Sequence, residues 1–271
     1  MSLARFSFNQ ATANNWPLEE LVRGCAEAGV PAVGLWRAPV QEYGLARAAK
    51  LVREAGLSVS TLCRGGFFAA DDWVDDNRRA IEEAATLGAP VLILVVGGLG
   101  ARGLDQARAH VASPLDTLAP HAEDAGVCLA IEPMHPMYCA DRGVVSTVSS
   151  ALELAAPYPA SVVGVAIDTY HVWWDELIWT LIEVAGTAGR IASFQAADWI
   201  TPLPEGVLLG RGLPGTGCVE CQRFALAVTD AGYTGPIEIE VFNAALWERP
   251  GPEVLAETIA SYVDYVAPPN T

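Results

Sequence analysis

The sequence predicts a single (β/α)₈ barrel, and three observations carry the prediction. Short apolar runs of strand length alternate eight times with amphipathic helical stretches. No GxGxxG follows the first run, which argues against a doubly wound dinucleotide-binding sheet. At 271 residues and 52% hydrophobic, the chain can bury one large core, and no composition break marks a linker. Residues 1–271 are therefore expected to form one TIM-barrel domain.

Taken in order, Phe6 to Gln10 is the first strand, and Trp16-Pro17-Leu18-Glu19-Glu20-Leu21-Val22 opens a helix with proline near its first turn, closed by Gly29. Ala32 to Trp36 is the second strand, followed by a helix near Tyr43 to Ala55 that Gly56 terminates. Leu57 to Cys63 is the third, and an acid-rich helix runs from Asp72 to Leu87. The fourth, Pro90 to Val96, is aliphatic throughout, the pattern of a strand buried on both faces. A long helical region, Leu104 to Ala125, precedes the fifth strand, Val127 to Glu132, and a helix from Val144 to Ala155 precedes the sixth, Val162 to Asp168. Asp175 to Ala185 reads as helix and Arg190 to Ala196 as the seventh strand. Pro202 to Gly217 reads as a long Gly/Pro-rich loop of functional length. A helix near Val219 to Ala231, the eighth strand Ile237 to Val241, and a last helix from Pro252 to Val266 complete the chain.

Charge and composition exclude several functions. A net charge of −16 repels phosphate backbones and anionic membranes, so neither nucleic acid nor a membrane surface is an expected partner. No stretch resembles a signal peptide and the apolar runs are strand-sized, so the expected location is cytoplasmic. The six cysteines are scattered, unlike a secreted disulfide framework, and Cys218-Val219-Glu220-Cys221 is a lone CxxC without a second ligand pair. Lys50, the single lysine, lies on an outward helix face, which argues against Schiff-base chemistry.

The chemistry concentrates between Leu129 and Trp174. Two apolar runs there each end in an acid followed three residues later by a histidine, Glu132 with His135 and Asp168 with His171. A carboxylate ending an apolar strand is costly to bury unless a cation or a donor meets it. Barrel strands converge on one mouth at their C-terminal ends, so residues at those ends are the site candidates. They are Asn9, Trp36, Arg37, Arg64, Glu132, His135, Asp168, His171, Gln195, Asp198, Glu238 and Glu240. Glu238 and Glu240 share one strand face, and spacing does not choose between them. Salt bridges to rim arginines are the competing reading for the acids.

With Glu132, Asp168 and His171, the polar residue and following Asp of the seventh strand, and the terminal Gly232-Tyr233-Thr234-Gly235-Pro236-Ile237-Glu238-Ile239-Glu240-Val241-Phe242, the sequence resembles the xylose isomerase-like sugar phosphate isomerase/epimerase superfamily along its whole length. The resemblance implies one divalent metal ion held by Glu132, Asp168, Gln195 and Glu240. Gln195 departs from the histidine usual there. An all-oxygen set favours hard ions, so Mn²⁺ or Mg²⁺ is the expected cofactor.

The resemblance also implies a reaction. A divalent ion chelated by a carbonyl and its neighbouring hydroxyl acidifies the adjacent C–H and stabilises an enediolate. Glu132 and Glu240 would act as acid/base partners on opposite sides of the substrate, and His135, held between two prolines, as a candidate additional base. His171, Trp36, Arg64, Tyr138, Arg142, Trp173 and Arg211 are the expected substrate-binding residues, with flat aromatic walls for a polyol and arginines for a phosphate or carboxylate; ion pairing of those arginines is the competing reading.

The expected function is thus a metal-dependent isomerase or epimerase acting on a small ketose, inosose or sugar phosphate. A lyase on the same scaffold is the alternative, either an inosose-type dehydratase or a C-glycoside-cleaving subunit with a partner subunit. A non-catalytic binding barrel and an abasic-site endonuclease stand further off, the latter being histidine-rich and basic where this chain has four histidines and an acid excess. A homodimer or tetramer is a family-level expectation.

Overall fold

The computed structural model describes residues 3–268. Among them, parallel strands β1 (Phe6–Asn9), β2 (Ala32–Trp36), β3 (Ser58–Gly66), β4 (Val91–Val95), β5 (Cys128–Ile131), β6 (Val163–Asp168) and β7 (Ile191–Ala196) form a barrel. Two short strands follow, β8 (Asp198–Trp199) and β9 (Arg211–Gly212), and β10 (Ile237–Ile239) closes the barrel between β7 and β1. The expected eight-stranded closed barrel with helices between its strands is the observed architecture.

The strands form where the apolar runs are because both faces are covered. The outward side chains, Phe8, Val33, Leu62, Leu92 and Leu129 among them, pack under the helices, while Cys63, Val91, Ile93, Ala130 and Ala166 fill the barrel interior. Burial on two faces removes the alternation seen in half-exposed strands.

Connections depart from expectation in three places. The helix expected near Tyr43 to Ala55 is present as Leu45–Glu54, and a further helix, Arg37–Tyr43, precedes it across Gly44, whose φ of 97° no helix accommodates. The region Leu104 to Ala125 is also two, Leu104–His110 and Ala112–Ala125. Pro114 explains that break: it sits in the first turn of the second helix, where its missing N–H costs nothing, whereas in one continuous helix its ring would meet the His110 carbonyl. The Pro202 to Gly217 segment is more ordered than a plain loop. Its β9 pairs antiparallel with β8, and Asp198 accepts hydrogen bonds from the backbone N–H groups of Trp199, Gly215, Gly217 and Val219. Asp198, a site candidate by position, is consumed in shaping this segment.

Below the mouth lies a buried polar knot. Glu238 accepts from Asn9 Nδ2 at 2.6 Å, Gln195 Nε2 at 2.8 Å, Thr61 Oγ1 at 2.9 Å and the Ser60 hydroxyl. It is the structural member of the Glu238/Glu240 pair. Gly34 makes room for it, since a Cβ there would stand 2.5 Å from the Glu238 carboxyl carbon. Gly34→Ala is therefore expected to cost about 1–3 kcal/mol, as overpacking does. In a urea titration the midpoint should fall with an unchanged slope; an unshifted midpoint contradicts this account of the interior.

Candidate active site

The C-terminal ends of β5, β6 and β10 bring Glu132, Asp168 and Glu240 together, all three buried, at 4%, 0% and 3% exposure, with Glu132 and Glu240 lining a cavity. Asp168 ends β6 and caps the short helix Thr169–Val172 through the Tyr170 N–H, and one turn of that helix sets His171 beside it. Donor atoms of Glu132, Asp168 and His171 lie within 4.8 Å of one another. Burial and the neighbouring carboxylates push Glu132 well above the ordinary range, and burial pushes Glu240 from 4.5 up to about 8. Asp168 is raised by burial, against the opposing pull of Arg211.

Arg211 is the cation at the centre. Its Nη1 stands 2.8 Å from Asp168 Oδ2 and 3.1 Å from Glu240 Oε2, and its Nη2 lies 3.1 Å from His171 Nε2. The guanidinium rests over the rings of Tyr170 and Phe242 at 4.8 and 5.2 Å. Its backbone is held from both sides, by β8 through the ribbon and by Phe242 and Asn243 through Arg211 N and O. Glu132 has no such partner: its carboxylate takes part in no hydrogen bond or salt bridge among the described residues. Gln195 donates to Glu238 through Nε2, and its Oε1 is buried without a donor.

The other residues singled out from the sequence divide clearly. Trp36, Arg64 and Arg142 line the cavity of about 170 Å³ together with Glu132, Arg211 and Glu240. Tyr138 is buried with its hydroxyl donated to the Val207 carbonyl and its ring edge-on to His171 at 5.5 Å, behind the residues that line the cavity. Trp173 packs on Trp199 at 5.4 Å, away from the residues that line the cavity. His135 accepts from the Met137 N–H through Nδ1 and packs against Trp199 at 4.8 Å. With that lone pair engaged, a neutral ring carries its proton on Nε2 and offers a donor there. His171 is held well below its ordinary range by burial and by Arg211, hence neutral, and its Nδ1 accepts from the His135 N–H at 3.3 Å. Arg37 is spent on Asp76 and Glu83, at 2.9 and 2.6 Å.

Sequence reasoning passed over Cys63, Ile93, Met134, Leu208 and Phe242, which also line the cavity. Phe242 was within reach, two residues past Glu240 and so on the same side of an extended chain. Leu208 was not, because it arrives on the short helix Val207–Leu209 of the Pro202 to Gly217 segment.

A family model described as a xylose isomerase-like TIM barrel matches residues 22–264. The chain belongs to the xylose isomerase-like TIM barrel family. This xylose isomerase-like chain is 40% identical to protein SMc04130 from Sinorhizobium meliloti 1021, whose crystal structure superposes with a TM-score of 0.94 over 98% of this chain and 99% of that one. The IolI protein, crystallised with a zinc atom, is 19% identical with a TM-score of 0.83, covering 97% and 98%. L-ribulose 3-epimerase is 19% identical with a TM-score of 0.72, covering 95% and 86%. At such identities the last two share the fold. No curated protein sequence matches. No helix among the described residues of the xylose isomerase-like barrel is long and apolar enough to cross a membrane.

The raised Glu240 carboxyl makes a pH prediction whose sign is fixed. A group with pKa 4.5 unfolded and about 8 folded binds more protons in the folded state between those values. Its contribution is complete below about 4.5 and is lost as pH rises through about 8. Glu132 and Asp168, raised as well, act in the same direction. Chelator-treated protein should lose stability across that interval in denaturant titrations, and Glu240→Gln should flatten the profile. A Glu240→Gln profile parallel to the wild type contradicts the burial argument.

Proposed function

We propose that this protein is a divalent-metal-dependent isomerase or epimerase that moves a proton next to the carbonyl of a small hydroxy-ketone. The observation that carries the reading is Glu132, a buried carboxylate without a partner, facing the cavity beside Asp168 and His171. A fold that buries such a group either neutralises it with a proton or meets it with a cation. The zinc of the IolI neighbour and the epimerase title of another neighbour support the cation and the reaction class.

The residues fit a divalent ion. Arg211 brings one positive charge to the three acids Glu132, Asp168 and Glu240, which leaves two carboxyls to be met by protons or by an ion, and the Gln195 Oε1 is an unused oxygen donor beside Asp168 in register. Glu132, Asp168, Gln195 and Glu240 would hold the ion, with His171 at its side. Oxygen donors dominate that set, which favours Mn²⁺ or Mg²⁺. When bound, such an ion supplies Lewis acidity that polarises a carbonyl and acidifies the neighbouring C–H.

The chain's own residues supply the rest. Glu132 and Glu240 reach the cavity from β5 and β10, which brings two carboxylates to a molecule seated there. Burial raises both, Glu240 to about 8, where a carboxyl gives and takes protons near neutral pH. One removes the C–H proton and the other returns it, to the adjacent carbon for isomerisation or to the opposite face for epimerisation. The fixed guanidinium of Arg211, which lines the cavity, stabilises charge that develops on a substrate oxygen, and His171 helps to position it. His135, its Nδ1 engaged, serves as a hydrogen-bond donor rather than as a base. Trp36, Leu208 and Phe242 cover the cavity and exclude water.

Solvent deuterium exchange into a panel of ketoses and inososes, with Mn²⁺ added, tests the reading. Glu132→Gln and Glu240→Gln are each expected to slow exchange by roughly 10²–10⁴, the range of a well-placed proton-transfer group. Exchange at the wild-type rate in both variants removes the acid/base assignment.

A further inference from the structure

Of Arg37, Arg64, Arg142 and Arg211, the structure pairs two and leaves two. Arg37 and Arg211 are consumed by acids. Arg64 and Arg142 both line the cavity, half-buried, and neither guanidinium has a salt bridge or a hydrogen bond among the described residues. Two like charges facing one small cavity repel each other, and burial strengthens the repulsion.

Both side chains are placed by built features. Arg64 sits where the pairing of β3 with β4 shifts register, between Cys63 and Gly65, and a bulge of this kind re-aims a side chain. Asn77, fully buried, clamps the bulge by accepting from Gly66 N at 2.6 Å and donating to Gly66 O at 2.9 Å. Gly66, with φ of 100°, leaves no room for a Cβ, which would meet the Val95 carbonyl oxygen at 2.0 Å. The next residue, Phe67, adopts φ of 50°, a costly conformation for a side chain of its size, and its ring lies 3.8 Å beneath the Arg64 guanidinium. Stacking on a ring face leaves the in-plane N–H groups free to donate. Arg142 is tied to the chain just after β4 through Gly97 N to Arg142 O at 2.8 Å. Burial, then the like charges of Arg142 and Arg37, lower the Arg64 guanidinium from its ordinary range.

We propose that Arg64 and Arg142 bind an oxyanion carried by the substrate, so that the hydroxy-ketone is an acid or a phosphate ester rather than a neutral sugar. This deepens the reading of the cavity as a substrate site and rests on it. The same cavity presents Glu132 and Glu240 to the reacting carbons and the two unpaired cations to a carboxylate or phosphate. A planar guanidinium binds either group through paired N–H donors. At about 170 Å³ the cavity is below the roughly 300–1,000 Å³ common for ligand pockets, which matches a small acid with few carbons.

The test is calorimetric titration of chelator-treated protein, at constant ionic strength, with malonate, inorganic phosphate and neutral glycerol. Removing metal keeps the anions from reporting on an ion instead of on the arginines. The expected result is binding of malonate or phosphate but not glycerol, weakened about tenfold or more in each of Arg64→Gln and Arg142→Gln. Tighter malonate assigns a carboxylate substrate, and tighter phosphate assigns a phosphate ester. Anion binding absent from the wild type, or unchanged in both variants at unchanged thermal stability, overturns the proposal. Because the readout needs neither metal nor turnover, it stands apart from the exchange experiment: loss of enolisation chemistry leaves these titrations interpretable, and failed titrations leave that chemistry standing.

Discussion

Burying carboxylates at the mouth of a barrel is the constraint on which the rest of this structure depends. Glu132, Asp168, Glu238 and Glu240 are all buried, and water solvates none of them fully. The fold answers in two ways. Glu238 receives hydrogen bonds from Asn9, Ser60, Thr61 and Gln195, a neutral cradle that satisfies it locally. The other three share the single guanidinium of Arg211, which reaches Asp168 and Glu240 and leaves Glu132 with no contact of this kind. The first solution builds a rigid floor, and the second leaves charge to be met by something else.

That division ties the fold to the chemistry. The cradle engages Gln195 through its amide nitrogen, so the buried carbonyl oxygen remains for another purpose. The segment that delivers Arg211 depends on Asp198, whose carboxylate gathers four backbone N–H groups from both limbs of the segment. Asp198 thus contributes at a distance, by fixing the path of the chain that carries the cation. On the opposite side, Asn77 does the same for Arg64 by clamping the bulge in β3. Polar side chains that touch no substrate hold in place the ones that would.

Much of the fold was legible because its signals are local. Strands buried on both faces read as unbroken aliphatic runs, and the C-terminal end of each strand names its mouth-facing residue. Ala32 to Trp36 was expected and is observed with the same limits. The helix Arg37–Tyr43 was not read, and the break before Pro114 was missed because a continuous apolar period outweighed one proline. The site was legible in composition more than in pairing. That Arg37 is spent while Arg64 is free depends on acids 39 and 46 residues away, on a helix whose approach to the second strand no local pattern encodes. The nearness of His171 to Glu132 likewise needs the β5–β6 pairing, and the central place of Arg211 needs the ribbon.

The central claim is that the surplus negative charge around Glu132 is met by protons or by a divalent ion, the two exchanging for one another. Titrating chelator-treated protein with Mn²⁺ near pH 7, in buffers of different ionisation enthalpy, reads this exchange directly. One bound ion is expected, with protons released on binding and an affinity that rises with pH, because carboxyls raised by burial must ionise before they can ligate. Absence of binding, or binding with no proton release and no dependence on pH, would contradict the claim.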